Sequence, residues 1–91
     1  METVIINARI KKKKEVEFYQ TMESLKSLVK NYCEDLETEI SADNILVIRI
    51  TFSGEHELKK NFYNPEFNIL KGTVRSLCNN ISYQINEETE Q

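Results

Sequence analysis

From residue 45 to residue 52 the chain places apolar side chains on both alternating faces, Ile45 and Val47 on one and Leu46, Ile48, Ile50 and Phe52 on the other. A strand with one solvated face carries a polar residue at every second position, so this run predicts a central strand covered on both sides. Residues 3–10 repeat the pattern more weakly, with Val4, Ile6, Ala8 and Ile10 on one face and Ile5, Asn7 and Arg9 on the other. Between these strands, Phe18, Met22, Leu25, Val29 and Tyr32 recur at helical spacing and predict an amphipathic helix over about 14–33. Leu36, Thr38 and Ile40 then alternate with Asp35, Glu37 and Glu39, the pattern of a charged strand near a sheet edge. The turn-forming run Ser41-Ala42-Asp43-Asn44 joins it to the central strand as a hairpin.

Beyond Phe52, Ser53 is placed to cap a short helix whose first turn carries Glu55 and Glu57 and whose apolar side carries Leu58 and Phe62. Asn64-Pro65 interrupts it, because the residue before a proline is pushed out of helical conformation while proline suits a first helical position. Phe67, Leu70, Val74, Leu77 and Cys78 predict the next helix over 65–78, and Ile81, Tyr83 and Ile85 a final strand. The order is β-α-β-β-α-β, an α+β, ferredoxin-like antiparallel sheet with its helices on one face. A single domain over 1–86 and a polar tail over 87–91 follow from the same pattern. The apolar residues on the second sheet face need a cover, and a two-fold homodimer packed sheet to sheet is the simplest one.

Composition narrows the partners. Ninety-one residues leave a small core that self-association would supplement. A net charge of −3 gives no electrostatic reason for nucleic acid as a partner. No apolar run approaches membrane-spanning length, and the first residues, METVIINARI, lack the basic stretch of a secretory leader, so a cytoplasmic protein is expected. Lys11, Lys12, Lys13 and Lys14 adjoin Glu15 and Glu17 and read as a solvated connector. Cys33 and Cys78 are too few and too far apart for a metal site or disulfide framework, and each sits beside apolar residues as a small hydrophobe. No metal is expected.

The run Phe52-Ser53-Gly54-Glu55-His56-Glu57-Leu58, followed by Asn64-Pro65-Glu66-Phe67, resembles antibiotic biosynthesis monooxygenase (ABM) domains, where a strand ending in an aromatic leads into a short helix and a Ser-Pro-x-Phe-like step. The resemblance implies the dimeric α+β barrel and small-molecule chemistry without a cofactor. The haem-degrading branch of that superfamily uses an Asn on the first strand, a Trp and a haem-ligating His. Asn7 matches the first, but the other two positions fall at about Asn61 and Lys71, and the chain has no Trp, so the resemblance disfavours haem degradation.

The cofactor-free oxygenases of the family hold a phenolic or quinone-like molecule in an apolar cavity. By that resemblance, Asn7 would hydrogen-bond the ligand, Arg9 or Arg49 would stabilise its charge, and Tyr19, Tyr32, Tyr63 or His56 would move protons. Phe62 and Phe67 would supply apolar contact. Taken as residues alone, the two arginines are better explained by reaching the sheet rim or pairing with Glu37 or Glu39, and the aromatics by core packing. The expected site lies beside Asn7, in a cavity between sheet and helices. Against this stand two alternatives: a dimer that binds a small molecule in that cavity without chemistry, and a structural or interaction module, which alone a filled interior would favour.

Overall fold

The computed structural model describes residues 1–87. It has the order β1(Glu2–Ile10), α1(Glu15–Val29), a 3₁₀ turn (Lys30–Tyr32), β2(Asp35–Ile40), β3(Ile45–Phe52), α2(Glu55–Asn61), α3(Pro65–Leu77) and β4(Cys78–Glu87). The four strands form one antiparallel sheet in the order β2-β3-β1-β4. This is the ferredoxin-like arrangement read from the sequence, with the second helical region divided in two. From residue 88 onward, the polar tail lies outside the described residues.

The sheet separates two environments. Val4, Ile6, Ala8 and Ile10 from β1 and Leu46, Ile48, Ile50 and Phe52 from β3 are buried beneath the helices. Phe18, Met22, Leu25 and Val29 from α1 and Phe67, Leu70, Val74 and Leu77 from α3 meet them. Phe52 anchors this layer, its ring 6.2 Å from Phe62 and 5.7 Å from Phe67. Because side chains alternate along a strand, Ile5, Asn7, Arg9, Ile45, Val47, Arg49 and Thr51 stand on the other face, away from the helices of the described residues.

Local chemistry explains most boundaries. Asn64 caps α3 by accepting the Phe67 N–H at 2.9 Å, with Pro65 at the first helical position. The cap of α2 is Gly54, with no side-chain bond, so Ser53 does not take the role its residue type suggested. The long helix ends at Val29 and tightens into the 3₁₀ turn, short of the predicted residue 33. β4 begins at Cys78, three residues before its apolar alternation starts, because Cys78 is already extended (φ −131°, ψ 159°) and pairs with Ile10.

That early start creates an irregularity. Asn7 pairs with Ser82, whereas Arg9 pairs with Asn79, so β4 inserts an extra residue opposite Ala8. Asn80 absorbs it at φ 54°, a left-handed conformation that asparagine tolerates better than most residues. The bulge lies beside two of the residues singled out in the sequence.

Candidate functional site

Asn7 does not face the helices. It is half-buried on the open side of the sheet, out of phase with its neighbours Ile6 and Ala8, which fill the core. Phe18, Met22, Phe62, Phe67 and Leu70 are all buried in the interior expected to hold a ligand, and the depression beside Asn7 lies on the opposite side of the sheet from them. Among the described residues no polar or charged residue is fully buried. Phe62 and Phe67, read as ligand contacts, are therefore core residues packed on Phe52 and on each other, with ring centres 5.9 Å apart.

The structure does bring Asn7 and Arg9 together. With Ala8, Ile45 and Asn80 they line a depression of about 210 Å³ at the bulge, on the open face. The bulge interrupts the ladder between Asn7 and Arg9, which makes a hollow where a flat sheet would have none. The hollow offers an amide, a guanidinium and the apolar side of Ile45. Such a set suits a planar molecule with an oxygen that carries, or can take up, negative charge.

Arg49 lies further along the same face, between Ile5 and Glu37 in register. The pairing with Glu37 anticipated for it is one of register only, for neither Arg9 nor Arg49 forms an ion pair among the described residues. The proton-transfer candidates are elsewhere. His56 is exposed in the first turn of α2, and Tyr63 is exposed just beyond that helix. Tyr19 borders a separate depression of about 220 Å³ between α1 and β2, with Phe18, Met22, Glu23, Lys26, Thr38 and Ile40. Tyr32 is half-buried in the 3₁₀ turn and packs against the core.

The position that would hold a haem-ligating histidine carries Lys71, whose ammonium sits 4.2 Å from the Phe62 ring centre and 4.7 Å from that of Tyr63. Desolvation first, and then the nearby Arg75 charge, hold its pKa below the ordinary lysine value. The two thiols are raised instead, Cys78 to about 11 and Cys33 also upward, in both cases chiefly through burial. Neither is poised as a nucleophile. Among the described residues no cluster of three His, Cys, Asp or Glu could hold a metal ion, and no helix is long and apolar enough to cross a membrane.

Sequence reasoning missed the bulge and its partners Ile45 and Asn80. The available signal was the Asn79-Asn80 pair directly after a helix, a run prone to left-handed backbone.

No protein-family model matches the sequence, and neither does any curated protein. Solved structures do match. A candidate antibiotic biosynthesis monooxygenase from Deinococcus radiodurans superposes with a TM-score of 0.83 at 8% identity, covering 100% of this chain and 95% of its own. The fold is that of the antibiotic biosynthesis monooxygenase proteins. A second such candidate, from Caulobacter crescentus, gives 0.82 at 14% identity over 98% of this chain and 90% of its own. A conserved protein from Methanosarcina mazei gives 0.80 at 17%, over 97% and 92%. At these identities the similarity is one of ABM-like fold alone.

Proposed function

We propose that the protein works as a homodimer, packed through the open faces of its two sheets, and that it binds a small aromatic or quinone-like anion in the hollow between Asn7 and Arg9. The single observation that carries this reading is the contrast between the two sides of the sheet. The helix side buries its apolar side chains, whereas the open side keeps Ile5, Ile45 and Val47 half-buried.

Covering those residues with a second copy removes apolar surface from water. The open face also carries both signs of charge, Asp35, Glu37 and Glu39 along β2 and Arg9 and Arg49 towards the centre. A two-fold interface can set each sign against its opposite. A partner would close one side of the Asn7 hollow and strengthen the guanidinium's hold on a bound anion by excluding water.

Sedimentation velocity tests the assembly. A dimer is expected for the wild-type protein and a folded monomer for Val47→Lys, whereas a wild-type monomer at micromolar concentration overturns the reading. An NMR titration with 1,4-naphthohydroquinone tests the site. Shifts should centre on Asn7, Arg9 and Asn80, and Asn7→Ala and Arg9→Gln should each weaken binding about tenfold.

Turnover is the second reading, favoured by the ABM-like fold and by Arg9, whose charge would stabilise the phenolate that reacts with oxygen. His56, Tyr19 and Tyr63 do not line the hollow, so the phenol would ionise to solvent. Oxygen uptake with the same hydroquinone, above its spontaneous rate and lost in Arg9→Gln, is the expected outcome under that reading.

A further inference from the structure

The hollow beside Asn7 is not isolated. A second depression of about 450 Å³ is lined by Arg9, Ile10, Lys11, Lys12, Ala42, Asp43, Asn44 and Asn79, and Arg9 is common to both. Three of its side chains are cationic and one, Asp43, is anionic, a local excess of positive charge in a chain whose net charge is −3. By residue type and spacing alone, these lysines have no role beyond a solvated turn. The fold instead separates them. Lys13 turns away at φ 72°, its N–H donating to Glu15, and Lys14 pairs with Glu17; Lys11 and Lys12 line the depression, with the Glu15 carboxylate near enough to Lys12 to feel its charge.

The frame around them is fixed by the backbone. Ile10 N–H donates to Asn44 O at 2.9 Å and Lys11 N–H to Leu77 O at 2.8 Å, tying the end of β1 to the β2–β3 turn and to the end of α3. Asn44 is held in turn by donating to Glu15 at 2.9 Å. Its left-handed backbone, φ 62°, therefore belongs to a braced turn. A volume in the range of small-molecule sites, cations on its wall and a shared arginine form one continuous surface.

We infer that the ligand of the Asn7 hollow carries a phosphate or comparable dianionic group, and that Arg9, Lys11 and Lys12 hold this group while its ring lies against Ile45 and Asn7. This inference rests on the reading of the Asn7 hollow as a ligand site, and it names the ligand's class. An oxyanion of charge near −2 answers the three cations better than a carboxylate does, and Asn79 can donate to it from its side-chain amide. Lys11 and Lys12 would supply charge, and Arg9 directional hydrogen bonds.

The test is an NMR titration of the full chain with phenyl phosphate, phenol and inorganic phosphate, repeated on a Lys11→Gln/Lys12→Gln double variant and on Asn7→Ala. Circular dichroism melting establishes that both variants fold. Phenyl phosphate should bind about tenfold more tightly than phenol, and the double variant should remove most of that advantage while leaving phenol unchanged. Asn7→Ala should weaken both aromatic ligands. Equal binding of phenyl phosphate and phenol, or no effect of the double variant, overturns the inference while leaving the Asn7 hollow intact. Inorganic phosphate binding as tightly as phenyl phosphate, with no effect of Asn7→Ala, also overturns it, because the two depressions then do not share a ligand. Co-sedimentation with phosphatidic acid vesicles that requires Lys11 and Lys12, without phenyl phosphate binding, overturns it in favour of a lipid headgroup.

Discussion

Phe52 is the last residue of the central strand and the point where strand, α2 and α3 meet. Its ring lies edge-on to Phe62 at 78° and tilted against Phe67 at 54°. Phe52→Ala should lower stability by about 3–5 kcal/mol, since the cavity left among rigid rings adds to the lost burial. Urea denaturation measures this, and a loss under about 1 kcal/mol would show that the rings close over the gap. At Glu15 the effect depends on pH. Its own backbone N–H, the Asn44 side chain and the Lys13 N–H hold its pKa below the ordinary value of 4.5. A carboxylate with a lowered folded pKa contributes stability that is present above the unfolded pKa and lost as pH falls through the folded one. The stability gap between wild type and Glu15→Gln should therefore be open at pH 7 and narrow steadily below about pH 4.5. A gap that is constant with pH would mean that the carboxylate charge plays no part. The thiols give a third residue-level test. With Cys78 buried and its pKa raised to about 11, it should stay unlabelled by a disulfide reagent at pH 8 in the folded protein, and half-buried Cys33 should react ahead of it.

The two short connections after β3 show how element boundaries arise. Asn64 and Ser53 are both cap-type residues next to a helix start, but only Asn64 accepts a backbone bond. Asn64→Ala should cost about 1 kcal/mol and Ser53→Ala should stay within about 0.5 kcal/mol, a contrast read from paired thermal melts. The strands at 45–52 and 35–40 were legible nearly to the residue because unbroken or strictly alternating apolar patterns leave only one phase. The ends of α1 and α3 were less legible. Tyr32, Cys33 and Cys78 continue the helical apolar spacing, so periodicity could not reveal that the backbone had already left the helix. The start of β4 was hidden for the same reason, and with it the bulge that shapes the hollow.

At the scale of the whole molecule, the described residues give the sheet one face under helices and one bare. Val47 sits in the middle of the bare face, opposite Asn7 on β1 and Glu39 on β2. Val47→Lys should leave the monomer fold intact and abolish self-association, because this side chain adds nothing to the helix-side core. The sequence by itself determined the element order, the helix-side core and the apolar demand of the second face. These follow from alternation and helical spacing, which are local properties of the chain. Only the tertiary structure decided which side of the sheet Asn7 occupies relative to the helices, that Phe62 and Phe67 pack on Phe52 in the core, and that Arg9 joins Asn7 to Lys11 and Lys12. Those facts depend on strand pairing across residues 7–82 and 10–78, on the turn at Asn44, and on a one-residue insertion in the ladder. Alternation fixes which residues share a face but not which face receives the helices. A one-residue shift in pairing also leaves no mark on hydrophobic periodicity.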